Sequence, residues 1–190
     1  MRPIKTIGHS NHAIDHFLAL LEAGGVEAVV DVRSVPYSRR FPQFGRERLA
    51  QSLAAHDILY RYEGAALGGK PGAGETYDAL AAKPEFGDAL SRLITGAANA
   101  TLCLMCAEKD PLDCHRTVLV SRRLAERGVT IDHLLADGSQ RSHAAIEDAL
   151  LGNSGEGLGD LFATSEDRAV RLMRAYTQRE QAMKRTARKT

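Results

Sequence analysis

The sequence predicts an α/β protein: a mostly parallel sheet of about five strands with helices on both faces, plus a C-terminal helical extension. Two observations predict it. Short apolar runs alternate along the chain with amphipathic segments, the pattern of strand–helix–strand units. The runs Val29-Val-Asp-Val32 and Thr101-Leu-Cys-Leu-Met105 read as strands buried on both sides, as parallel strands covered by helices are. Right-handed crossovers then gather the carboxyl ends of most strands at one edge.

Residues 4–7 read as the first strand. A helix follows over 13–23, with Ile14, Phe17, Leu18 and Leu21 on one face and Gly24-Gly25 ending it. Residues 27–32 are the second strand, and 34–45, with two prolines, a loop. A helix over 46–56 faces Leu49 and Leu53 inward, and 58–62 is the third strand. Residues 64–74 form a glycine-rich loop, and 76–82 and 85–95 are helical, broken at Pro84. The fourth strand, 101–105, leads to a helix over 117–127 with Gly128 as its cap. The fifth strand is 129–134, and 143–151 is helical. After a glycine-dense break at 153–159, residues 165–189 form a last helix, with Thr164 and Asp167 resembling a capping box. Residues 1–151 are thus expected to be one α/β domain, and 152–190 a glycine-rich linker and basic C-terminal helix.

With 190 residues, 44% hydrophobic and 26% charged, the chain suits one globular domain with an appendage. A net charge of +1 argues against nucleic-acid binding by the whole surface, though not by a local patch. Trp is absent and aromatics are 5%, which disfavours a base-stacking platform. No apolar run approaches a membrane span, and the first residues lack a leader pattern, so no membrane association is expected. Three cysteines are too few for a disulfide scaffold, and a reducing cytoplasm is the expected setting.

Polar and ionisable groups follow nearly every strand. Gly8, His9, Ser10 and Asn11 follow the first, and Asp31 and Arg33 close the second. Glu63 and Leu67-Gly-Gly-Lys70 follow the third, Cys106 and Glu108 the fourth, and Asp132 and His133 end the fifth. In open α/β sheets, ligands bind at these loops. The densest stretch is Cys106-Ala-Glu-Lys-Asp-Pro-Leu-Asp-Cys-His-Arg116, with two thiols, three acids, an imidazole and a guanidinium between a strand and a helix.

Asp31 lies in an otherwise apolar run, and a buried carboxylate is costly unless paired. Arg33, two residues on, points to the same side, so the two either brace the loop as an ion pair or flank a ligand. Cys103 and Cys106 have C-x-x-C spacing but face opposite sides of a strand, so a redox pair is rejected and Cys103 reads as core. Cys106 is either an inert thiol or a nucleophile activated by His115, Arg116 and the following helix start. Cys106, Cys114 and His115 are the metal candidates, since two Cys and one His suit zinc.

Gly64-Ala-Ala-Leu-Gly-Gly-Lys70 approaches a P-loop but continues into Pro71, so it lacks the hydroxyl that holds magnesium. Its amides, Gly68 and Gly69 among them, are candidates for holding an anion. The 34–45 loop offers Arg39 and Arg40 among Tyr37 and Phe44, either as a phosphate contact or as a surface cover. From residue 168 on there are eight Lys or Arg and one acid, Glu180: a solvated helix or a phosphate-facing arm.

These residues resemble the domain of unknown function 488 family, through Thr6-Ile-Gly-His-Ser-Asn11, the stretch 31–44, Leu67-Gly-Gly69, and Cys106-Ala-Glu108 with Cys114-His-Arg116. The resemblance covers roughly residues 4–136. It implies an α/β fold of this size and groups His9, Asp31, Arg33, Cys106, Glu108, Cys114, His115 and Arg116 as one site. A second likeness, to rhodanese-type sulfurtransferases, rests on Asp31-Val-Arg33 and on a Cys after a later strand. Here that loop is longer and lacks their glycine-rich amide ring.

The expected protein is therefore an enzyme or ligand-binding protein acting on a phosphorylated or nucleotide-like substrate. Cys106, Glu108, His9 and His115 are its candidate catalytic residues. Ser10, Asn11, Asp31, Arg33, Arg39, Gly68, Gly69 and Arg116 are its candidate binding residues. The alternatives are a nucleotide or nucleic-acid binding module, a metal-dependent hydrolase, and a rhodanese-like sulfurtransferase. No cofactor and no oligomeric state is assigned.

Overall fold

Among the described residues, six strands build one sheet: β1 (Ile4–Gly8), β2 (Ala28–Asp31), β3 (Leu59–Tyr62), β4 (Leu102–Cys106), β5 (Ile131–Leu134) and β6 (Gln140–Ser142). The computed structural model describes residues 1–72, 74–155 and 165–187. The strand order is β3-β2-β4-β1-β5-β6, parallel throughout except for β6, which runs antiparallel to β5. Side chains alternate between two cores, as the two-residue strand period requires. Ala28, Val30, Leu102, Leu104 and Cys106 enter one core, and Val29, Cys103 and Met105 the other. Cys103 and Cys106 thus lie on opposite faces, as their spacing requires.

Helices α1 (Ile14–Ala23) and α2 (Arg46–Ala54) cover the Cys103 face through Phe17, Leu21, Leu49 and Leu53. The Cys106 face is covered by α3 (Gly64–Leu67), α4 (Tyr77–Ala81), α5 (Pro84–Ala97), α6 (Arg122–Ala125), α7 (His143–Asn153) and α8 (Ser165–Ala187). Local chemistry sets several ends. Thr76 and Ser142 accept the Ala79 and Ala145 amides as N-caps. Pro84 occupies the first turn of α5, where its missing N–H costs nothing. Gly25, at φ +61°, reverses the chain after α1.

The differences from the sequence expectation have identifiable causes. The sixth strand is three polar, exposed residues at a sheet edge, with no apolar signal to announce it. The 64–74 loop opens with the one-turn helix α3, and the 34–45 loop contains a 3-10 turn at Pro42–Phe44. The helix expected over 117–127 begins as a π-helix, Arg116–Ser121, before narrowing to α6. Ser121 Oγ donates to the Arg116 carbonyl at 2.7 Å, five residues back across the wide turn. The glycine-dense break beyond residue 155, Thr164 of the expected capping box, and the basic residues 188 and 189 lie outside the described residues.

Helix α8 packs on the domain. Ala175 and Tyr176 are buried, Arg179 Nε donates to the Leu112 carbonyl at 2.8 Å, and Glu180 accepts the Tyr77 amide at 2.9 Å. A chain of hydrogen bonds runs beneath it. Tyr176 Oη lies 3.1 Å from Glu147 and 3.2 Å from His143 Nε2; His143 Nδ1 lies 3.1 Å from His133 Nε2, and His133 Nδ1 2.8 Å from Thr6 Oγ1. His133 is thus committed to the packing of β1, β5, α7 and α8. No described helix is long and apolar enough to cross a membrane.

Two neighbouring strands send their connections to opposite faces. β1 leads to α1 on the Cys103 face, and β4 leads to the π-helix and α6 on the Cys106 face. That divergence leaves a crevice beyond the carboxyl ends of the two strands, where open α/β sheets bind ligands.

Candidate functional site

The loops after β1 and β4 stay paired beyond the sheet: the His9 and Ser10 amides donate to the Cys106 and Ala107 carbonyls at 2.8 and 2.9 Å. A side chain at Gly8 would place its Cβ 1.8 Å from the Glu108 carbonyl oxygen, so only glycine lets the two loops cross. Ser10 turns the chain at φ 47° and brings Ser10 and Asn11 to the crevice rim.

Four side chains converge at its floor. The donor atoms of Cys106, Glu108, Cys114 and His115 all lie within 4.8 Å of one another. The two sulfurs stand 3.0 and 2.9 Å from the same Glu108 carboxylate oxygen, Oε2. His115 Nδ1 is 3.4 Å from the Cys106 sulfur and 4.0 Å from the Cys114 sulfur. His115 Nε2 lies 2.9 Å from the Val32 carbonyl, an acceptor only, so Nε2 carries a proton and Nδ1 faces the sulfurs.

The electrostatics follow from burial. Burial pushes the Cys106 thiol well above its ordinary range, and the Cys114 sulfur and Glu108 carboxylate add to this. Burial also opposes ionisation of Cys114, but the hydrogen bond from Cys106, the Arg116 guanidinium and His115 outweigh it and make Cys114 the more acidic of the pair. Burial and the Cys114 charge raise the Glu108 carboxyl. Glu108 is exposed as a residue, yet its carboxylate reaches inward to both sulfurs.

Beside this cluster lies a second polar unit. Asp31 is fully buried and accepts from Arg33 Nε at 2.9 Å, Arg33 Nη2 at 2.6 Å, the Arg33 amide at 3.1 Å and Tyr60 Oη at 2.8 Å. Arg33 Nη2 also donates to the Phe44 carbonyl at 2.9 Å, and Nη1 to His9 Nε2 at 3.2 Å. His9 Nδ1 then carries the ring proton toward the Ser10 carbonyl, 2.9 Å away, and the ring stacks on Phe44 with centroids 4.3 Å apart. Burial, with the Arg33 charge, lowers the His9 pKa to about 4, so the ring is neutral and its lone pair is spent on Arg33.

Two adjoining clefts open over these units. One, of about 580 Å³, is lined by His9, Ser10, Asn11, Arg33, Arg40 and Lys109 among others. The other, of about 1250 Å³, is lined by Cys106, Glu108, His115, Gly69, Lys70 and one face of α8 among others. Arg33, Tyr37, Ala107 and Glu108 border both.

The sequence-predicted residues sort by position. His9, Ser10, Asn11, Arg33, Cys106, Glu108, His115 and Gly69 border a cleft, and Asp31 supports Arg33 from beneath. Arg39 is exposed and borders neither cleft; its neighbour Arg40 faces the smaller one, because the turn before Phe41 sets which of the two points inward. Arg116 is fully buried and holds the loop: Nη1 donates to the Glu108 carbonyl at 2.6 Å and Nη2 to the Lys109 carbonyl at 3.2 Å. The Gly68 amide is spent on the Gly64 carbonyl at 3.0 Å. A Cβ at Gly69 would fall 2.3 Å from the His115 ring, so this glycine makes room for the imidazole.

Lys109, Tyr77 and Asp113 also line the clefts, as does an α8 stripe of Arg179, Ala182, Met183 and Thr186. Those four recur at i, i+3, i+4 and i+7, a one-sided helical spacing visible in the sequence but masked by the surrounding charge.

The family model described as "Domain of unknown function DUF488" matches residues 13–123, a span that contains Asp31, Arg33 and all four members of the thiol cluster. No curated protein and no solved structure matches the chain.

Proposed function

The chain belongs to the DUF488 family, whose description names no reaction, and from its own site we propose that it is an enzyme acting on a phosphorylated or nucleotide-like substrate bound over the carboxyl ends of β1, β2 and β4. One observation carries this reading: the smaller cleft sets Arg33, Arg40 and Lys109 around His9, Ser10 and Asn11, directly beside the Cys106–Glu108–Cys114–His115 cluster. Cations and hydroxyl and amide groups suit an anionic, hydrogen-bonding ligand. Titratable groups gathered at a cleft mark a reaction centre more often than a packing site.

Each residue then has a role. Arg40 and Lys109, both exposed, neutralise the anion. Arg33 presents its remaining Nη1 hydrogen to it, held in place by Asp31 and the Phe44 carbonyl. His9 is a positioning residue, because its lone pair is already occupied by Arg33. Glu108, shared by both clefts, is the proton-transfer group within reach of the ligand.

The test is calorimetric titration with a nucleoside monophosphate and with inorganic phosphate at two salt concentrations, followed by assay of phosphate-ester turnover. Arg40→Ala and Lys109→Ala are each expected to weaken binding about tenfold, and salt to weaken it further. Affinity unchanged in both variants overturns the location. Tight binding without turnover overturns the enzyme and leaves a binding module.

A further inference from the structure

We propose that Cys106 Sγ, Cys114 Sγ, His115 Nδ1 and a Glu108 carboxylate oxygen together bind one divalent cation of the zinc class, with Glu108 as the exchangeable ligand. The claim concerns the cluster alone and stands whether or not the neighbouring cleft takes a phosphate.

The geometry comes first. A tetrahedral zinc site with bonds of ~2.3 Å to sulfur and ~2.0–2.1 Å to nitrogen or oxygen separates its donor atoms by ~3.5–3.8 Å. The separations here are 3.0 and 2.9 Å from the carboxylate oxygen to the two sulfurs, and 3.4 and 4.0 Å from the imidazole nitrogen to them. The imidazole edges bracket the ideal value. The carboxylate edges are short, and Glu108, at the cleft mouth, withdraws by a fraction of an ångström without moving the backbone.

The contacts come second. Both sulfurs crowd one Glu108 carboxylate oxygen, and His115 Nδ1 faces the same two sulfurs, so four donor atoms are aimed at a common buried point. Polar atoms gathered in this way are costly unless satisfied, and a cation satisfies all four at once.

The surroundings are those of a metal centre. The proton on His115 Nε2 is anchored by the Val32 carbonyl, which fixes the ring tautomer and leaves Nδ1 as the ligand atom. The Arg116 amide donates to the Cys114 sulfur at 3.4 Å, and its guanidinium ties down the carbonyls of Glu108 and Lys109 in the loop between the ligands. Gly69 has no Cβ to meet the imidazole, which leaves room for the ring. Two sulfurs, one nitrogen and one oxygen select a borderline-soft ion over magnesium or calcium. Cys106, Glu108 and His115 border the larger cleft and Cys114 does not, so the ion is reachable from one side, the side Glu108 closes. Three deep ligands and a replaceable fourth are the arrangement of a catalytic rather than a sealed structural site.

The experiment uses the full chain purified without chelator in a thiol-free reductant. Elemental analysis is expected to find about one zinc per chain. Replacing it with Co²⁺ is expected to give near-ultraviolet sulfur-to-cobalt charge transfer and the visible bands of a tetrahedral ion. Cys114→Ser removes much of the charge transfer. Glu108→Gln keeps both sulfur bands but loses roughly ten- to a hundredfold in cobalt affinity against a competing chelator. Circular dichroism of each variant separates loss of metal from loss of fold. The proposal is overturned if reduced, folded protein takes up neither ion, if the cobalt spectrum lacks sulfur charge transfer or is unchanged in Cys114→Ser, or if Glu108→Gln binds cobalt as tightly as the parent. Phosphate titration of the metal-free protein reads the anion cleft separately, so failure of either reading is recognisable by itself.

Discussion

Asp31→Asn breaks a buried ion pair at its acidic partner. The carboxylate is fully buried and takes four hydrogen bonds, three from Arg33 and one from Tyr60. Arg33 is itself only 5% exposed, so solvent does little to screen the pair. Asparagine keeps one acceptor but in either orientation turns an amide N–H₂ toward the guanidinium, which only donates. It also leaves a cation in the interior with no counter-charge. Breaking one partner of a buried pair costs about 3–5 kcal/mol, a large fraction of the 5–15 kcal/mol that holds a typical domain together. For a chain of this size that corresponds to a fall of roughly 10 °C in Tm. The assay is urea unfolding followed by circular dichroism, run as a double-mutant cycle with Arg33→Met. Removing both charges is expected to restore at least half of the loss, because no uncompensated ion remains. A cost below ~1 kcal/mol for Asp31→Asn, or strictly additive single effects, would falsify the reading of the two residues as one buried unit.

Two further outcomes are expected. His9 and His143 have pKa values lowered by burial to about 4, against an ordinary 6.5, and burial lowers His133 as well. The unfolded chain therefore binds protons below pH 6.5 that the folded chain refuses, so stability falls as pH drops through 6.5 to 4, and His133, lowered further, carries the fall below that window. The loss is at most ~3 kcal/mol each for His9 and His143. Urea midpoints at pH 7 and pH 5 measure it, His143→Gln should flatten the dependence, and an equal midpoint at both pH values would contradict it. Tyr176→Phe removes the hydroxyl that joins α8 to Glu147 and His143, at about 1–2 kcal/mol. An unchanged midpoint in that variant would mean that α8 does not dock on α7 in solution.

The alternation of apolar and amphipathic runs was enough to read five strands, because parallel strands covered on both faces must be apolar at successive positions. Gln140–Ser142 escaped, since an exposed edge strand of three polar residues carries no such signature. The site's location was legible for a related reason: Asp31 and Cys106 stand where apolar runs stop, and such stops gather at one sheet edge. What the chain could not announce was which polar groups spend themselves internally. Arg116 and Arg33 are both arginines following a strand, yet one is sealed against carbonyls and the other keeps a hydrogen at a cleft. Arg39 and Arg40 differ by one residue, and only the turn ahead of Phe41 decides which of them faces the cleft. Of the two glycines read as an anion cradle, Gly68 spends its amide on the Gly64 carbonyl, and a Cβ at either would crowd Ser34 or His115.

The loop between Cys106 and Arg116 divides its residues between building and acting, and that division bears on what the site can do. Asp110 accepts the Leu112 amide and Pro111 opens a 3-10 turn, so the chain doubles back in a few residues. Arg116 then closes the loop onto the Glu108 and Lys109 carbonyls. Those bonds return Cys114 and His115 to within reach of Cys106, and Gly8 supplies the gap through which the loop passes. A loop tied at so many points pays its ordering entropy on folding rather than on binding. The four donor atoms are therefore preorganised, and a ligand arriving from the larger cleft has only Glu108 to displace. A thiol nucleophile would need a sulfur free of partners and open to solvent, whereas Cys106 is 2% exposed and lies beside both Glu108 and His115. Three of the four donors are buried residues, so a cation held among them would be reached only from the cleft side that Glu108 closes.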